Sequence, residues 1–244
     1  MIKINNLGFY YKIDEWLFRN ITFDIHQGDI VSILGPNGRG KTTFLKCLTG
    51  INKPKLGSVV LNGKAGFVPQ LSTPPFGFSV LDIVLMGTSN SHSIFETIND
   101  DNIENAKYSL RRVGIEHLAD KDFADLSGGQ KQMALIARAL CYGKDVLILD
   151  EPSSALDLAN QKKLLDLLND ISSDGTTIIM TTHFPNHALR VAHKTLMLFG
   201  ESEFVFGDTK DVVNENNLSR LFNTPIKCVD YQINGLAGSF AIPL

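Results

Sequence analysis

The stretch "GPNGRGKTT", at residues 35–43, is compatible with only a few folds for this chain of 244 residues. It follows the apolar run "IVSIL" (30–34), which is typical of a strand buried on both faces, and it precedes a helical pattern that ends at Gly50. The stretch matches the pattern G-x-x-x-x-G-K-[ST], which requires a strand before it and a helix after it. Backbone N–H groups of such a loop surround phosphate oxygens, so the sequence predicts a phosphate-binding loop on an α/β scaffold.

The residues of this loop have distinct expected tasks. The ammonium of Lys41 reaches the β- and γ-phosphates of a nucleotide, and the hydroxyl of Thr42 is offered to Mg²⁺. The sequence therefore predicts a nucleoside triphosphate and Mg²⁺ as ligands. The loop residues expected to hold the nucleotide are Gly35, Asn37, Gly38, Gly40, Lys41, Thr42 and Thr43.

Two further apolar runs, "VLIL" (146–149) and "TIIM" (177–180), also read as buried strands. Helical patterns separate the runs, and this alternation predicts a mostly parallel sheet. Asp150-Glu151 follows the first run, and Thr182-His183 follows the second. Because ligands collect at the carboxyl ends of parallel strands, we expect these polar clusters and the phosphate loop to converge on one edge.

The two adjacent carboxylates indicate phosphoryl transfer chemistry. Carboxylates at a strand end are costly unless a cation and a reacting water use them. Asp150 would complete the Mg²⁺ shell, and Glu151 would orient the water that attacks the γ-phosphate. His183 is placed to approach the same phosphate, although a purely structural histidine is an equal alternative. Gln70, in "GFVPQ", is a weaker candidate from its residue type alone.

A second glycine-containing stretch, "LSGGQ" (126–130), precedes the helical pattern "KQMALIARAL". Ser127 and Gln130 form an S-x-x-Q capping box, which explains a helix start but not the two glycines. Gly128 and Gly129 each cost a helix up to ~1 kcal/mol relative to alanine. We interpret the two glycines as giving an anion close access to bare amides.

Taken together, these motifs resemble the ATP-binding cassette, the nucleotide-binding subunit of ABC transporters, over nearly the whole chain. The resemblance identifies the phosphate loop as Walker A, "VLILDE" as Walker B with catalytic Glu151, and "LSGGQ" as the signature. It also makes "SALD" (154–157), which includes Asp157, the D-loop, Gln70 the Q-loop and His183 the switch histidine. The fold that it implies is α/β: a P-loop ATPase core with a mostly parallel sheet, an N-terminal antiparallel β subdomain and an inserted helical subdomain.

In that family two cassettes meet head to tail, and each ATP lies between the Walker A of one copy and the signature of the other. The resemblance therefore implies that Ser127, Gly128, Gly129 and Gln130 serve the nucleotide of a second copy, and it counts Asp157 among the nucleotide-binding residues. It also implies catalytic roles for Lys41, Gln70, Glu151 and His183, Mg²⁺ ligation by Thr42, Gln70 and Asp150, and stacking of adenine on Tyr11.

The chain is expected to form a single cassette over residues 1–244. Helical patterns at 79–87 and 100–114 place an inserted helical subdomain at 73–142, which includes the start of the signature helix. A hairpin is expected at 194–208 and a short helix near 214–223, and residues 206–244 form a short C-terminal extension.

Residues 67–87, 181–198 and 206–226 are similar to the ATPases of metal-chelate importers, which serve siderophore iron, haem, cobalamin or molybdate permeases. This similarity implies ATP-driven import of a metal chelate or a metal oxyanion. The expected partners are a second copy, a polytopic permease and, through the permease, a periplasmic or surface substrate-binding protein. The expected location is peripheral, on the cytoplasmic face of the inner membrane. Phe76 and Phe78 are candidates for lining a groove for the permease, with ordinary packing as the alternative.

Composition and charge restrict the alternatives. A net charge of −3 shows no global basic field, so nucleic acid is not expected as a partner. No run approaches the roughly 18 apolar residues of a spanning helix. The three cysteines lack a C-x-x-C pair and are interpreted as reduced, buried thiols.

Other functions remain open at this stage. An ABC exporter would share every catalytic motif. A soluble ABC ATPase acting on ribosomes or DNA would usually carry two cassettes or a long coiled-coil insertion. A GTPase is disfavoured because "NKPK" (52–55) lacks the aspartate of a guanine-reading N-K-x-D motif. A non-hydrolysing module is disfavoured by the presence of Lys41, Asp150, Glu151 and His183.

Overall fold

The computed structural model describes residues 1–13, 15–70, 77–88, 99–233 and 235–244. The chain divides into two compact units: residues 1–62 with 168–244, which we call the terminal unit, and residues 63–167, which we call the central unit. The strands are β1 (Ile2–Tyr10), β2 (Trp16–Ile25), β3 (Ile30–Leu34), β4 (Leu56–Leu61), β5 (Ala65–Val68), β6 (Val146–Leu149), β7 (Thr177–Thr182), β8 (Lys194–Gly200), β9 (Glu203–Asp208), β10 (Ile226–Ile233) and β11 (Leu236–Pro243). The α-helices are α1 (Lys41–Leu48), α2 (Val80–Leu85), α3 (Asp100–Arg112), α4 (Gly128–Tyr142), α5 (Leu158–Ser173), α6 (Pro185–Val191), α7 (Thr209–Val212) and α8 (Glu215–Phe222).

Parallel strands form the core of the terminal unit. Strand β3 pairs in parallel with β7 on one side and with β8 on the other, and β9 adds an antiparallel edge. All five residues of β3 and all six of β7 are buried, as expected for strands covered on both faces. The strand predicted at 30–34 and the hairpin at 194–208 are confirmed, and the strand predicted at 177–180 extends to Thr182.

A separate antiparallel sheet, in the order β2-β1-β4, lies in the same unit and confirms the expected N-terminal β subdomain. Its aromatic side chains form part of the hydrophobic core. The ring of Phe18 contacts that of Phe44 edge to face, with centroids 5.5 Å apart. Phe44, Leu45 and Leu48 are buried, so these side chains anchor helix α1.

The C-terminal part of the terminal unit contains an antiparallel hairpin, β10–β11, that the sequence interpretation did not anticipate. Its base is buried: Ile226 and Ala241 belong to a hydrophobic cluster that includes Leu34, the last residue of β3. The helix expected near 214–223 is α8.

The central unit pairs β5 and β6 in parallel and contains helices α2, α3 and α4. Helix α4 approaches β5 so closely that a Cβ at Gly66 would lie 2.1 Å from the carbonyl oxygen of Ala139. The helices expected at 79–87 and 100–114 are confirmed as α2 and α3, each starting with a capping box. The boundaries 73–142 remain a prediction, and residue 73 lies outside the described ranges.

Candidate nucleotide-binding and hydrolysis site

The phosphate loop joins β3 to α1 through backbone angles that favour glycine. Gly38 and Gly40 have φ values of 82° and 87°, in the left-handed region that other residues rarely adopt. A Cβ at Gly40 would also lie 3.3 Å from the ring of Phe18. The first turn of α1, all of which is described, carries no acidic residue, so the positive end of the helix dipole is not neutralised locally. The loop therefore has the backbone shape and local charge that suit an anion.

Lys41 lies within this loop. Its side chain is buried, at 5% exposure, and its Nζ donates to the carbonyl oxygens of Gly35 at 2.8 Å and Pro36 at 3.2 Å. A longer contact of 3.5 Å joins Nζ to Oδ1 of Asn37. These contacts hold the ammonium against the loop that it is expected to serve. A charged phosphate oxygen makes a stronger hydrogen bond than a neutral carbonyl oxygen, so it can replace these acceptors.

Tyr11 is tied to the same helix. Its hydroxyl lies 3.2 Å from Oγ1 of Thr43, and its ring meets that of Phe9 edge to face at 5.0 Å. Tyr11 is 67% exposed, so its ring is accessible for stacking. Tyr10, the preceding residue, packs instead on Trp16, with ring centroids 4.9 Å apart.

His183 lies at the same edge of the sheet as the phosphate loop. In the parallel pair, Leu34 is opposite Thr182, so Gly35 and His183 leave adjacent strands at the same level. The His183 ring packs on that of Phe184 at 4.0 Å, and Phe184 packs on His187 at 4.9 Å. Burial, with smaller contributions from His183 and Arg190, lowers the pKa of His187 to about 4. His187 is therefore neutral at pH 7.

In the central unit, Gln70 and Asp150 share the carboxyl edge of the β5–β6 pair. Val68 is opposite Leu149, and the backbone N–H of Asp150 donates to the carbonyl oxygen of Val68 at 2.9 Å. Asp150 is only 2% exposed, whereas Gln70 is exposed. The terminal unit thus brings the phosphate loop and His183 together at strand ends, and the central unit does the same for Asp150 and Gln70.

Glu151 has a strained backbone that the sequence gives no signal for. Its φ is 48°, which is uncommon for a residue other than glycine, asparagine or aspartate. The turn is closed at its carbonyl oxygen, which accepts from the backbone N–H of Ser154 at 3.2 Å and from its hydroxyl at 3.0 Å. Strain of this kind is concentrated at functional sites, where it fixes the direction of a side chain.

The capping box predicted in the signature stretch is confirmed. The backbone N–H of Ser127 donates to Oε1 of Gln130 at 3.0 Å, and that of Gln130 donates to Oγ of Ser127 at 3.4 Å. Gly129 has an additional reason to be glycine: a Cβ there would lie 3.1 Å from the side chain of Asn160. Around Gly128 the nearest such atom is 3.8 Å away. Packing against Asn160 therefore explains part of the need for glycine at position 129. For Gly128, access by an anion remains the interpretation.

Asp157 links the D-loop stretch to the signature. Its carboxylate accepts from the backbone N–H of Asn160 at 2.8 Å and from the side-chain amide of Asn160 at 3.0 Å. The same Asn160 side chain faces Gly129. Asp157 therefore orders the first turn of α5 and the residue that packs on the signature glycine.

Several broader expectations concern the described residues as a whole. Among them, no group of three or more His, Cys, Asp or Glu side chains could hold a metal ion. Within the same ranges, every helix is too short or too polar to span a membrane.

Cys47 and Cys141 are buried as expected, whereas Cys228 is half-buried, and burial raises the pKa of the Cys47 thiol to about 11. Phe76, a candidate for the permease groove, lies outside the described ranges.

Comparison with known proteins adds independent information. A family model described as ABC transporter matches residues 18–154, more than half of the chain. The chain is 43% identical over 226 residues to the molybdate import ATP-binding protein MolC of Haemophilus influenzae, covering 92% of this chain and 89% of MolC.

Solved structures agree with this match. A metal-chelate type ABC transporter in an inward-facing conformation superimposes with a TM-score of 0.94 at 41% identity, covering all of this chain and 97% of that one. An ATP-binding cassette solved as a dimer bound to ADP and Pi gives a TM-score of 0.71 at 27% identity, covering 86% of this chain and 99% of that one. Both support the predicted fold, with a parallel core, a separate antiparallel sheet and a helical insert.

Proposed function

The chain belongs to the ABC transporter family as an ATP-binding subunit, and from this membership we propose that it drives import of a metal chelate or a metal oxyanion through a membrane permease. ABC subunits of this kind are ATPases that bind nucleotide and couple its hydrolysis to transport. The observation that carries the cargo class is the match to a metal-chelate type transporter over the whole chain. The 43% identity to a molybdate importer extends that class to oxyanions.

ATP is the substrate proposed for the phosphate loop. The backbone N–H groups from Gly35 to Thr43, apart from Pro36, which has none, surround the β- and γ-phosphates. Lys41 exchanges its carbonyl partners for phosphate oxygens. Tyr11 stacks on adenine, supported by its exposed ring and its hydrogen bond to Thr43.

Mg²⁺ is the metal that these residues fit. Mg²⁺ prefers hard oxygen ligands and is usually held by one or two carboxylates together with substrate phosphates. The buried carboxylate of Asp150 is such a ligand, and the hydroxyl of Thr42 and the amide oxygen of Gln70 are proposed to complete the protein's share. When bound, Mg²⁺ would neutralise charge that develops on the phosphate oxygens.

Glu151 and His183 are the proposed catalytic pair. The left-handed turn at Glu151 fixes its side chain at the end of a buried strand, where it orients the attacking water. His183 leaves its strand beside the phosphate loop and is proposed to contact the γ-phosphate. Positioning and charge stabilisation account for most of the catalysis of phosphoryl transfer, so fixed geometry matters more here than acid–base strength.

Two copies of the chain are proposed to act together. Ser127, Gly128, Gly129 and Gln130 would contact the ATP bound by the partner, and Asp157 would support that contact through Asn160. Gly128 lies in the N-terminal turn of the 15-residue helix α4, and a Cβ there would come no closer than 3.8 Å to the atoms around it, which leaves its amide accessible to a phosphate. The similar cassette that was solved as a dimer bound to ADP and Pi supports the pairing of two copies.

The remaining partners follow from the transport role. We propose a polytopic permease, reached from the cytoplasmic face of the inner membrane, and a periplasmic or surface substrate-binding protein that delivers cargo to it. Cargo would never touch this chain, so specificity would reside in those two partners.

Purification of the tagged chain from gently solubilised native membranes, with mass spectrometry of the proteins recovered, tests this proposal. The expected companion is a polytopic permease of the metal-chelate type, absent when cells lacking the tag are processed in parallel. Recovery of ribosomal or DNA-bound proteins without a permease would contradict the transport role and leave the ATPase chemistry intact. Recovery of an exporter permease would contradict import alone.

A further inference from the structure

Asn186 makes two hydrogen bonds to a single residue of the C-terminal hairpin. Its Nδ2 donates to the carbonyl oxygen of Ala241 at 3.2 Å, and its Oδ1 accepts from the N–H of Ala241 at 2.7 Å. The side-chain amide therefore pairs with the backbone of β11 much as a neighbouring strand would. This orientation of the amide is the one that satisfies both partners, because an N–H needs an oxygen opposite it.

Asn186 is only three residues beyond His183. Between them, Pro185 starts α6, and the N–H of Phe184 donates to Oγ1 of Thr182 at 3.0 Å. Thr182 is nearly fully buried at the end of β7. The segment that carries His183 is thus fixed on one side at Thr182 and on the other at Asn186.

The hairpin is itself firmly anchored. Ala241 is 6% exposed and lies in the hydrophobic cluster that contains Leu34, directly before the phosphate loop. On the opposite strand, the N–H of Cys228 donates to Oε1 of Glu215 at 3.1 Å. Asn186 is therefore bonded to the buried base of the hairpin.

We propose that Asn186 is a positioning residue for ATP hydrolysis, which holds the His183 segment at the γ-phosphate by bonding α6 to the C-terminal hairpin. Two part-buried hydrogen bonds join the Asn186 side chain to the N–H and the carbonyl oxygen of Ala241. They resist both sliding and rotation of α6, so they restrict the direction in which His183 leaves β7. The hairpin thereby contributes to turnover without touching nucleotide. The inference rests on the role proposed above for His183.

A double-mutant cycle tests it. Single-turnover hydrolysis of MgATP is measured, with ATP affinity determined separately, for Asn186→Ala, His183→Ala and the double variant. Asn186→Ala is expected to lower the hydrolysis rate constant by about 3- to 10-fold while the Kd for ATP changes less than about twofold, since only the transition-state contact is misplaced. In the His183→Ala background, Asn186→Ala is expected to change the rate by less than about 1.5-fold, because residues acting through one another are not additive.

The outcomes separate the two proposals. If His183→Ala hydrolyses ATP at the wild-type rate, the role of His183 is wrong and the inference falls with it. If His183→Ala is slow but Asn186→Ala is as fast as wild type, or lowers the rate equally in both backgrounds, only the inference is overturned.

Ser219→Ala is the matched control. It removes the hydrogen bonds between the Ser219 hydroxyl and the backbone of Ile226, on the other strand of the same hairpin, and keeps both bonds between Asn186 and Ala241. It is expected to leave the hydrolysis rate within about twofold of wild type, because the His183 segment keeps its anchor.

An imidazole NMR signal of His183 that shifts in Asn186→Ala but not in Ser219→Ala would support the inference without any activity measurement, and equal shifts would contradict it. Should Asn186→Ala fail to fold, Asn186→Asp, which keeps the acceptor for the Ala241 N–H, carries the same comparison with a smaller expected loss.

Discussion

At the residue scale, Glu151 combines a strained backbone with the proposed catalytic carboxylate. A φ of 48° costs free energy that the surrounding turn must supply, here through two hydrogen bonds from Ser154 to the Glu151 carbonyl oxygen. Glutamine at this position has the same shape and the same backbone cost. The substitution Glu151→Gln therefore isolates the carboxylate charge.

We predict that Glu151→Gln lowers the rate of ATP hydrolysis by at least about 100-fold, because the attacking water loses its orienting acceptor. The Kd for ATP should remain within about twofold, since the phosphate loop is unchanged. Steady-state phosphate release and equilibrium nucleotide binding measure the two effects. Glu201→Gln, which makes the same change at an exposed glutamate in the turn between β8 and β9, should behave as wild type. Hydrolysis by Glu151→Gln at half the wild-type rate or more would contradict the assignment.

Tyr11 offers a second test at this scale. Tyr11→Ala should weaken ATP binding by about 10-fold, a loss within the roughly 1–3 kcal/mol of base stacking on an aromatic ring. Tyr11→Phe retains the ring and loses only the hydrogen bond to Thr43, so its Kd for ATP should lie within about threefold of wild type. Titration with a fluorescent ATP analogue measures both. Equal affinities for the alanine and phenylalanine variants would show that the ring does not stack on adenine.

At the scale of elements, the same type of helix cap occurs at two helices with different proposed roles. Ser79 and Ser127 both begin helices of the central unit through a complete capping box. Only the box at Ser127 is followed by two glycines, and only that helix is proposed to face nucleotide. The two serines therefore form a matched pair for separating stability from function.

We predict that Ser79→Ala and Ser127→Ala each lower the free energy of unfolding by ~1 kcal/mol, the usual cost of losing a helix cap. In a Glu151→Gln background, only Ser127→Ala should weaken the ATP-dependent dimer, because only Ser127 is proposed to contact the partner's nucleotide. Urea denaturation measures the first effect and sedimentation with MgATP the second. A dimer that resists Ser127→Ala, or that Ser79→Ala weakens equally, would contradict the proposed role of the signature.

Helix α6 should make stability depend on pH through His187. Burial lowers the pKa of His187 to about 4 in the folded protein, against an ordinary value near 6.5, so only the unfolded chain is protonated at this residue between those pH values. Stability should therefore fall as the pH is lowered from about 6.5 towards 4, and His187→Gln should reduce that slope. Urea denaturation at several pH values in this window provides the measurement. An unchanged slope in His187→Gln would show that protonation of His187 is not the cause of the pH dependence.

The elements differ in how far the sequence predicts them. Strands β3 and β6 were located from apolar runs alone, because a strand buried on both faces has no polar positions to obscure it. The C-terminal hairpin was missed because one face is exposed and its apolar residues are spread among polar ones, although the dipeptide Asn234-Gly235 is a strong hairpin signal. The bonds between Asn186 and Ala241 depend on tertiary packing, which no local pattern encodes. The left-handed conformation of Glu151 is not predictable because glutamate has no preference for it.

At the scale of the whole molecule, each compact unit holds part of the proposed machinery. The terminal unit carries the phosphate loop, Tyr11 and His183, and the central unit carries Gln70, the two Walker B carboxylates and the signature. The proposed binding and hydrolysis of ATP therefore draw on residues of several elements, and we propose that hydrolysis is linked to movement of a permease. The central claim is that this linkage drives import.

Cellular uptake tests that claim most directly. Accumulation of radiolabelled molybdate, ferric siderophore, haem and cobalamin would be measured in cells whose single chromosomal copy carries Glu151→Gln, with Glu201→Gln cells as the control. We predict that uptake of one of these cargoes is lost with Glu151→Gln and retained with Glu201→Gln, at equal levels of the protein. Normal uptake of all four cargoes in the Glu151→Gln cells would contradict the import role.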